Sequence, residues 1–329
     1  MIDGNKILIT GGTGSLGTAL TKKLLKSKVN TIRIYSRDEW KQVQMESQFN
    51  DKRLRFLIGD VRDKERLSRA MEDINIVIHA AALKQVPVAE YNPFEAVQTN
   101  VNGAQNVIES CFRNNVEIAL AVGTDKAVSP FNTYGATKFL MERLFISANY
   151  YKGKHKTKFL GVRYGNVLGS RGSIVHVIKN QVKEGGKITI TDPSMTRFNI
   201  TMDQATELIF RALKDGKGGE LFVPKLKAYR LEDMKNAILD IMNSKIEEKI
   251  IGARPGEKFH ESLISQDETR NTFETELDYI IFEKRTQDPN NEFTGKKSNL
   301  SDQYSSNKVD LLTKEEIKKI LVDEDLLTT

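Results

Sequence analysis

Residues 6–17 read KILITGGTGSLG, an apolar run that passes directly into a glycine-rich turn, and the residues that follow, ALTKKLLK, carry helical periodicity. Gly11 permits a tight bend, Gly14 lets backbone N–H groups approach a pyrophosphate at the positive end of the helix, and Gly17 lets the helix pack on the strand. A glycine-rich turn without a ligand is less consistent with this position between a first strand and a first helix. The stretch therefore predicts a dinucleotide-binding turn, whose contacts also include Thr13, Ser15 and Leu16.

The first half of the chain alternates short apolar runs with segments of helical period. The runs are KILIT, TIRIY, RLRFLIG, INIVIHAA, EIALAVG and KFLGVRYG, and the helical segments include a long one near 93–114 and another over roughly 133–150. Strands that alternate with helices in this way form parallel sheets with helices on both faces. The pattern predicts an α/β fold, with a Rossmann-type doubly wound parallel sheet in residues 1–165.

The alternation of predicted strands and helices becomes less regular after residue 165. Residues 166–283 predict a smaller substrate-binding lobe with helices near 173–184, 203–214 and 231–242 and short strands near 187–191, 220 and 249, some of which return to the main sheet. Residues 284–309 have few large apolar side chains and predict an extended surface loop. With a short helix at 313–322, they form a polar C-terminal extension, 284–329.

Composition excludes several classes of protein. The 329 residues are 39% hydrophobic and 29% charged, as in a globular protein, and a single cysteine cannot form an internal disulfide. Neither a targeting segment nor a membrane-spanning run is present, so we expect a cytoplasmic protein. The net charge of +6 is spread among interleaved acids, which favours phosphorylated small molecules over nucleic acid, and the four histidines have no metal-ligand spacing.

The end of the second predicted strand, YSRD, bears on the choice of dinucleotide. Ser36 and Arg37 can hold a 2′-phosphate, with Lys41 one turn further on, whereas an acidic residue there would bind the ribose 2′-hydroxyl. Asp38 fits a helix N-cap instead. These residues favour NADP over NAD. Further cofactor contacts are expected where the third and fourth strands end, at Asp60, Val61, Ala80 and Ala82.

The stretch TDKAVSPFNTYGATK, residues 124–138, carries the candidate chemistry. Tyr134 and Lys138 are four residues apart and share one helix face, so the ammonium and the cofactor cation can lower the phenol pKa toward that of a neutral-pH base. Thr124, Asp125 and Lys126 lie upstream, at the carboxyl end of a central strand where open α/β sheets bind ligands. A solvated Asp-Lys pair that closes a strand is the alternative interpretation.

These motifs resemble the extended short-chain dehydrogenase/reductase family, and within it the UDP-N-acetylglucosamine 4,6-dehydratases (inverting) of pseudaminic acid biosynthesis. The similar segments are GGTGSLG, IYSRDE, FLIGDVRD, HAAALKQVPVAEYNP, TNVNGAQNVI, TDKAVSPFNTYGATK, RYGNVLGSRGS, ITDPSMTRFNIT, LFVPK and GARPGEKFHE. Membrane-anchored relatives tend to carry Met where this chain has Tyr134. The resemblance implies a lyase that acts on a UDP-sugar, with a tightly bound NADP that is regenerated in each turnover.

The resemblance also implies a role for each candidate residue. Tyr134, steered by Lys138, takes the C4 hydroxyl proton, Lys126 removes the C5 proton, and Asp125 protonates the departing C6 hydroxyl. Lys126 must then be neutral, and we expect burial and the cofactor cation to depress its pKa. Thr124 is expected to bond the substrate or the tyrosine. Expected substrate contacts are Lys84, Lys126, Asn166, Ser170, Arg171, Arg197, Arg254 and Glu257, and Lys84 is also a candidate for cofactor contact.

Several alternatives share part of this pattern. A sugar-nucleotide 4-epimerase or reductase needs the cofactor turn and Tyr134 with Lys138, but has no need for Asp125 and Lys126. A C5-retaining 4,6-dehydratase and a member that binds NADP without turnover are further alternatives. For Arg197, ordinary ion pairing and a diphosphate contact are equally consistent with the sequence. The resemblance implies a homo-oligomer, either a dimer or a hexamer.

Overall fold

The computed structural model describes residues 2–170, 172–282 and 295–327. Its first half alternates strands and helices in the order β1 (Lys6–Thr10), α1 (Ser15–Leu24), β2 (Thr31–Ser36), α2 (Glu39–Phe49), β3 (Leu54–Ile58), α3 (Lys64–Ala70), β4 (Ile76–His79), α4 (Val86–Tyr91), α5 (Pro93–Ala96), α6 (Gly103–Arg113), β5 (Ile118–Val122), α7 (Thr133–Tyr151) and β6 (Lys158–Val162). A π-helical segment, Val97–Asn102, joins α5 to α6, which confirms the predicted long helix near 93–114.

The second half has shorter elements. They are β7 (Asn166–Val167), α8 (Ile174–Lys183), β8 (Ile188–Ile190), β9 (Thr196–Ile200), α9 (Met202–Asp215), β10 (Leu221–Pro224), β11 (Ala228–Arg230), α10 (Leu231–Ile241), β12 (Glu248–Ile250), β13 (Ser262–Ile264), β14 (Thr272–Glu274), β15 (Asp278–Ile281), β16 (Lys296–Lys297), β17 (Tyr304–Ser305) and α11 (Lys314–Asp323). The predicted helices of this half are confirmed, whereas β9, β11 and β13–β17 were not predicted.

The central sheet confirms the predicted Rossmann-type topology. Within the described residues it has the strand order β16-β14-β15-β10-β6-β5-β4-β1-β2-β3. The parallel part of the sheet has the order β10-β6-β5-β4-β1-β2-β3. Strands β15, β14 and β16 continue the sheet beyond β10 in antiparallel pairs. Strand β10 and the three antiparallel strands come from the second half of the chain, so the sheet is completed by residues beyond β6.

Alternation along β1 shows how the sheet is buried on both faces. Ile7 and Ile9 point to one side, into a core with Leu20 of α1 and Leu208 of α9. Leu8 points to the other side, into a core that α3, α6 and α7 supply. A parallel strand covered on both faces needs apolar residues at every position, which explains the continuous run ILI. The carboxyl ends of the strands are left as the open edge.

A third core lies in the smaller lobe. Helices α8 and α10 contribute Ile178 and Met234, and β8 contributes Ile188. The last helix, α11, begins with a capping box in which Thr313 and Glu316 each accept a backbone N–H. Its Ile317 and Leu321 are buried in the same core, so this helix is part of the lobe's packing.

The prediction of a surface loop over 284–309 is wrong for residues 304–306, whereas most other described residues of that segment are exposed or half-buried and lie outside strands. Tyr304, Ser305 and Ser306 are buried, and β17 pairs with β13. Polar side chains can be buried here because each finds a partner: the Tyr304 hydroxyl donates to the Leu226 carbonyl at 3.0 Å. The residues of this segment before 295 lie outside the described residues. Among the described helices, none combines the length and the apolar run that crossing a membrane requires.

Candidate active site

A cavity of about 970 Å³ lies at the carboxyl ends of β1, β2, β4, β5 and β6, where the lobe meets the sheet. This is the crevice in which open α/β sheets bind ligands, because each strand there passes into a loop that presents polar groups. Its volume is at the upper end of the range for small-molecule sites.

The cavity brings together nearly all the residues singled out from the sequence. Its lining includes Gly11, Thr13, Gly14, Ser15, Leu16, Gly17, Ser36, Arg37, Lys41, Asp60, Val61, Ala80, Ala82, Lys84, Thr124, Lys126, Tyr134, Lys138, Asn166, Ser170, Arg197, Arg254 and Glu257. Asp125 is fully buried beside it rather than on its surface. Arg171 lies outside the described residues.

The glycine turn fits a dinucleotide. Gly11 has a φ of +67°, and a Cβ there would come within 2.9 Å of the Ala81 backbone. A Cβ on Gly17 would collide with the Gly12 carbonyl, so α1 packs against the turn only because residue 17 is a glycine. Gly14 is the N-cap of α1. The positive end of the helix dipole thus faces the cavity, as a pyrophosphate requires.

The end of β2 has both features expected from the sequence. Asp38 caps α2 by accepting the Lys41 backbone N–H at 3.0 Å, and its carboxylate also pairs with the Lys41 ammonium. The Arg37 side chain is 62% exposed at the edge of the cavity, and its guanidinium lies 3.6 Å from Asp60. Ser36 is buried and accepts from Gln42 at 3.0 Å. Arg37 and Asp38 therefore both line the cavity at the end of this strand, with the Asp38 carboxylate engaged by Lys41 and the Arg37 side chain exposed.

Tyr134 lies near the start of α7, whose N-cap is Asn132. Burial raises the pKa of the phenol to about 12, although the Lys126 ammonium and a hydrogen bond with Thr124 both lower it. The sequence interpretation assigned this lowering to Lys138, whereas the largest lowering contribution in the structure comes from Lys126. Of the two roles expected for Thr124, the structure contains the bond to the tyrosine.

Lys138 lies one turn after Tyr134 and also lines the cavity. Its ammonium donates to the Val122 carbonyl at 2.6 Å and contacts Met141. Burial lowers the pKa of Lys138 to about 8, against an opposing effect of Glu142, its neighbour one turn further along α7. The lysine is therefore held at the end of β5, and its pKa lies nearer to neutral pH than that of an exposed lysine.

Lys126 is the centre of a buried polar cluster. Its ammonium lies 3.1 Å from Asp125 Oδ1, 3.1 Å from Asn166 Oδ1 and 3.3 Å from Glu261 Oε1. Asp125 Oδ1 also accepts the Thr124 hydroxyl at 3.0 Å. The cluster is placed by the turn Asp125–Ala127 after β5 and by the residues just before β13.

The pKa of Lys126 differs from the expectation. Burial lowers it, but the carboxylates of Asp125 and Glu261 raise it by more, so that it lies above its ordinary value. The sequence argument considered burial and a cofactor cation and did not include a second carboxylate. The prediction of a depressed pKa is therefore wrong for the protein without ligands.

In the lobe, Arg197 and Glu257 form an ion pair at 3.1 Å. Arg197 is buried and also donates to the carbonyls of Thr196 and Phe259. Glu257 also accepts the backbone N–H of Arg254 at 3.2 Å. Arg197 is thus ion-paired and lines the cavity rather than the outer surface, and its contact with a diphosphate stays a prediction.

Glu261 is the main residue that the sequence interpretation missed. It is 2% exposed, lines the cavity and contacts Lys126. The segment GARPGEKFHE contains both Glu257 and Glu261, and nothing in its spacing indicates that the second glutamate reaches the turn after β5. Asn100, which the sequence indicates as a supporting polar residue near the site, clamps the loop after β4 by bonding both backbone groups of Leu83.

Comparisons with known proteins agree with this geometry. A family model described as polysaccharide biosynthesis protein matches residues 7–283. A UDP-N-acetylglucosamine 4,6-dehydratase (inverting) of Campylobacter jejuni is 50% identical over 283 residues, 85% of this chain and 84% of that protein. A UDP-glucose 4-epimerase of Rickettsia rickettsii is 41% identical over 327 residues, 97% of this chain and 96% of that protein.

A solved structure extends the match to the whole chain. The X-ray structure of Pen from Bacillus thuringiensis is 40% identical, covers 100% of both chains and has a TM-score of 0.93. The family match, the relatives and this structural match span both the glycine turn and the Lys126 cluster. The chain therefore belongs to the polysaccharide biosynthesis protein family.

Proposed function

We propose that this protein is a UDP-N-acetylglucosamine 4,6-dehydratase that inverts C5. The observation that carries the proposal is the buried cluster of Asp125 and Lys126 beside Tyr134, in a cavity that begins at the dinucleotide-binding turn. An acid and an amine lie next to the tyrosine that is proposed to act as the base in C4 oxidation. This arrangement suits an elimination, which moves protons at two neighbouring carbons. The 50% identity to inverting dehydratases supports the same activity.

Each step assigns a proton to one side chain. Tyr134 takes the proton of the C4 hydroxyl, and the resulting ketone acidifies C5. Lys126 removes the C5 proton, and Asp125 protonates the C6 hydroxyl as it leaves as water. A bound dinucleotide would supply the oxidation at C4 and the later reduction at C6. A proton then enters C5 from the face opposite to the one it left, which inverts that carbon. The product is a 4-keto-6-deoxy amino sugar, UDP-2-acetamido-2,6-dideoxy-β-L-arabino-hex-4-ulose, of the kind with which pseudaminic acid synthesis begins in the resembled family.

The remaining cavity residues suit a nucleotide sugar. Arg197, Arg254 and Lys84 supply positive charge for a diphosphate. Asn166, which accepts from Lys126, and Ser170 lie on the sugar side of the proposed site. Glu257 is proposed to accept from a ribose hydroxyl when Arg197 turns to the diphosphate. Arg171, which lies outside the described residues, stays a proposed diphosphate contact from the resemblance alone.

A 4-epimerase is the second candidate, because relatives with that name cover nearly the whole of both chains. NMR of the product formed from UDP-N-acetylglucosamine in deuterated water separates the two. We expect a 4-keto-6-deoxy sugar with deuterium at C5 and inverted configuration there. Formation of UDP-N-acetylgalactosamine with an intact C6 hydroxyl would support the epimerase and overturn the proposal.

NADP is the proposed cofactor. The side chains at the end of β2 support it, because Arg37 is exposed at the cavity edge and Asp38 is engaged by Lys41 and the α2 N-terminus. Arg37 can form a charge-assisted pair with a 2′-phosphate. Asp60 and Val61 are proposed to border the adenine, and Ala80 and Ala82 to lie beneath the cofactor.

Replacing Arg37 tests the cofactor proposal. We expect Arg37→Ala to weaken NADP binding by about tenfold or more, the value of one charge-assisted pair, and to leave NAD binding nearly unchanged. Titration calorimetry on protein stripped of nucleotide measures both affinities. Arg55→Ala is the matched control, because Arg55 lies on the neighbouring strand β3 and does not line the cavity. Equal losses for NADP and NAD would contradict the assignment.

A homo-oligomer is also part of the proposal. Large apolar side chains are exposed on neighbouring helices of the sheet domain, including Tyr91 at 88% and Phe94 at 67%. Large apolar side chains exposed close together in the chain support a protein interface there. Light scattering of the purified protein would measure the number of subunits.

A further inference from the structure

Glu261 and Asp125 each leave one carboxylate oxygen without a partner next to the same ammonium. Lys126 bridges Asp125 Oδ1 at 3.1 Å and Glu261 Oε1 at 3.3 Å. Within the described residues, Asp125 Oδ2 and Glu261 Oε2 are buried and have no hydrogen-bond partner. Buried carboxylate oxygens are rarely left in this state, because an ionised carboxylate without donors is costly in a low dielectric.

The charges of the cluster do not balance if both acids are ionised. Two buried carboxylates face one ammonium whose side chain is 20% exposed, and desolvation of the carboxylates together with their mutual repulsion favours a proton on one of the acids. Burial and the neighbouring Asp125 raise the pKa of Glu261, while Lys126, Arg197 and Lys258 oppose the rise. With both acids ionised the three side chains would carry one net negative charge, so the cluster can take up one further proton.

Glu261 is also held rigidly. Its backbone N–H donates to the Ser306 hydroxyl at 3.0 Å, and its carbonyl accepts the Ser306 N–H at 2.8 Å. Its carboxylate thus comes from the lobe, whereas Asp125 and Lys126 come from the turn after β5. A fixed partner at 3.3 Å can exchange a proton with the amine without a conformational change.

We propose that Glu261 is the positioning residue that takes the proton of Lys126 and thereby prepares its amine to act as the C5 base, an inference that rests on the proposed dehydratase function. In the proposed cycle Asp125 starts with the proton that the leaving hydroxyl requires, Lys126 starts charged, and Glu261 starts ionised. The raised pKa of Glu261 makes it a stronger proton acceptor than an exposed carboxylate. A proton moves from Lys126 Nζ to Glu261. The neutral amine then takes the C5 proton, the C–H electron pair forms the C5–C6 double bond, and the C6–O bond breaks as Asp125 gives its proton to the leaving hydroxyl.

The starting protonation states of the three side chains are restored through the same contacts. After elimination Lys126 is charged, Asp125 is ionised and Glu261 is protonated. Lys126 passes its proton to Asp125 Oδ1 and receives another from Glu261 Oε1, which restores the starting state. Every proton that the cluster takes up or gives away is thus accounted for by three side chains in contact.

Glu261→Gln tests the proposal because it keeps the shape of the side chain and removes its ability to accept the proton. We expect turnover of UDP-N-acetylglucosamine to fall by about 10²-fold, the usual contribution of a proton-transfer group, with the substrate dissociation constant nearly unchanged. In a quenched single turnover, we expect a 4-keto sugar that still carries its C6 hydroxyl, which mass spectrometry distinguishes from the dehydrated product.

Glu220→Gln is the matched control, because Glu220 is buried, accepts two backbone N–H groups and does not line the cavity. We expect it to dehydrate the substrate at the wild-type rate, and thermal unfolding shows whether either variant loses stability. The inference is overturned if Glu261→Gln turns over at the wild-type rate, or if this variant does not oxidise C4. A wild-type protein that forms no 4-keto-6-deoxy product overturns the proposed function instead.

Discussion

Tyr134→Phe is expected to lower kcat by about 10³-fold or more, which corresponds to about 4 kcal/mol of transition-state stabilisation. The phenol oxygen is the group proposed to take the C4 hydroxyl proton, and a phenylalanine has no atom that can replace it. Because C4 oxidation precedes every later step, the variant should accumulate neither a 4-keto sugar nor the dehydrated product. Quenched single turnovers followed by mass spectrometry measure both species.

The substitution should leave the fold intact. The Tyr134 ring packs against Ala89 and Ala96, and the hydroxyl's hydrogen bond to Thr124 is what the change removes. The matched control is Tyr151→Phe, on the same helix but 54% exposed and outside the cavity. It should turn over like the wild type. A Tyr134→Phe protein that retained a tenth or so of wild-type turnover would contradict the role of the phenol as the C4 base.

The sequence predicts the frame of this site well because local patterns determine it. The continuous apolar run of β1, the glycines at 11, 14 and 17 and the four-residue spacing of Tyr134 and Lys138 each act within one or two elements. Their joint position follows from the topology of a parallel sheet, which puts the ends of its strands along one edge.

Contacts that join distant parts of the chain could not be predicted in the same way. Glu261 reaches Lys126 across a long stretch of sequence, through the pairing of β13 with β17 and the bonds to Ser306. The polar residues around 304–306 resemble a loop until their tertiary partners are known. The error about the pKa of Lys126 has the same origin in part, since the neighbouring Asp125 and the lobe residue Glu261 together outweigh the effect of burial, and Glu261 reaches Lys126 only through the tertiary fold.

Lys126→Met separates elimination from oxidation. The methionine keeps the length of the side chain but offers no amine, so the C5 proton has no acceptor and dehydration should fall by about 10³-fold or more. Oxidation at C4 should persist at a reduced rate, since Tyr134 and Lys138 remain in place but the Lys126 ammonium no longer lowers the pKa of the phenol. The 4-keto sugar with its C6 hydroxyl should therefore appear in quenched single turnovers. Tyr134→Phe would show no such species, so the two variants assign the two half-reactions to different side chains.

The stability of Lys126→Met must be compared with that of a matched control, because removing the Lys126 ammonium leaves Asp125 and Glu261 facing each other. An uncompensated buried charge costs about 3–5 kcal/mol unless a proton is taken up, so the melting temperature of Lys126→Met should fall more at alkaline than at acidic pH. Lys235→Met also removes a buried lysine that pairs with a glutamate, Glu248, but it lies in the lobe away from the cavity. It should keep full dehydratase activity. Dehydration by Lys126→Met at a rate near that of Lys235→Met would mean that another group takes the C5 proton.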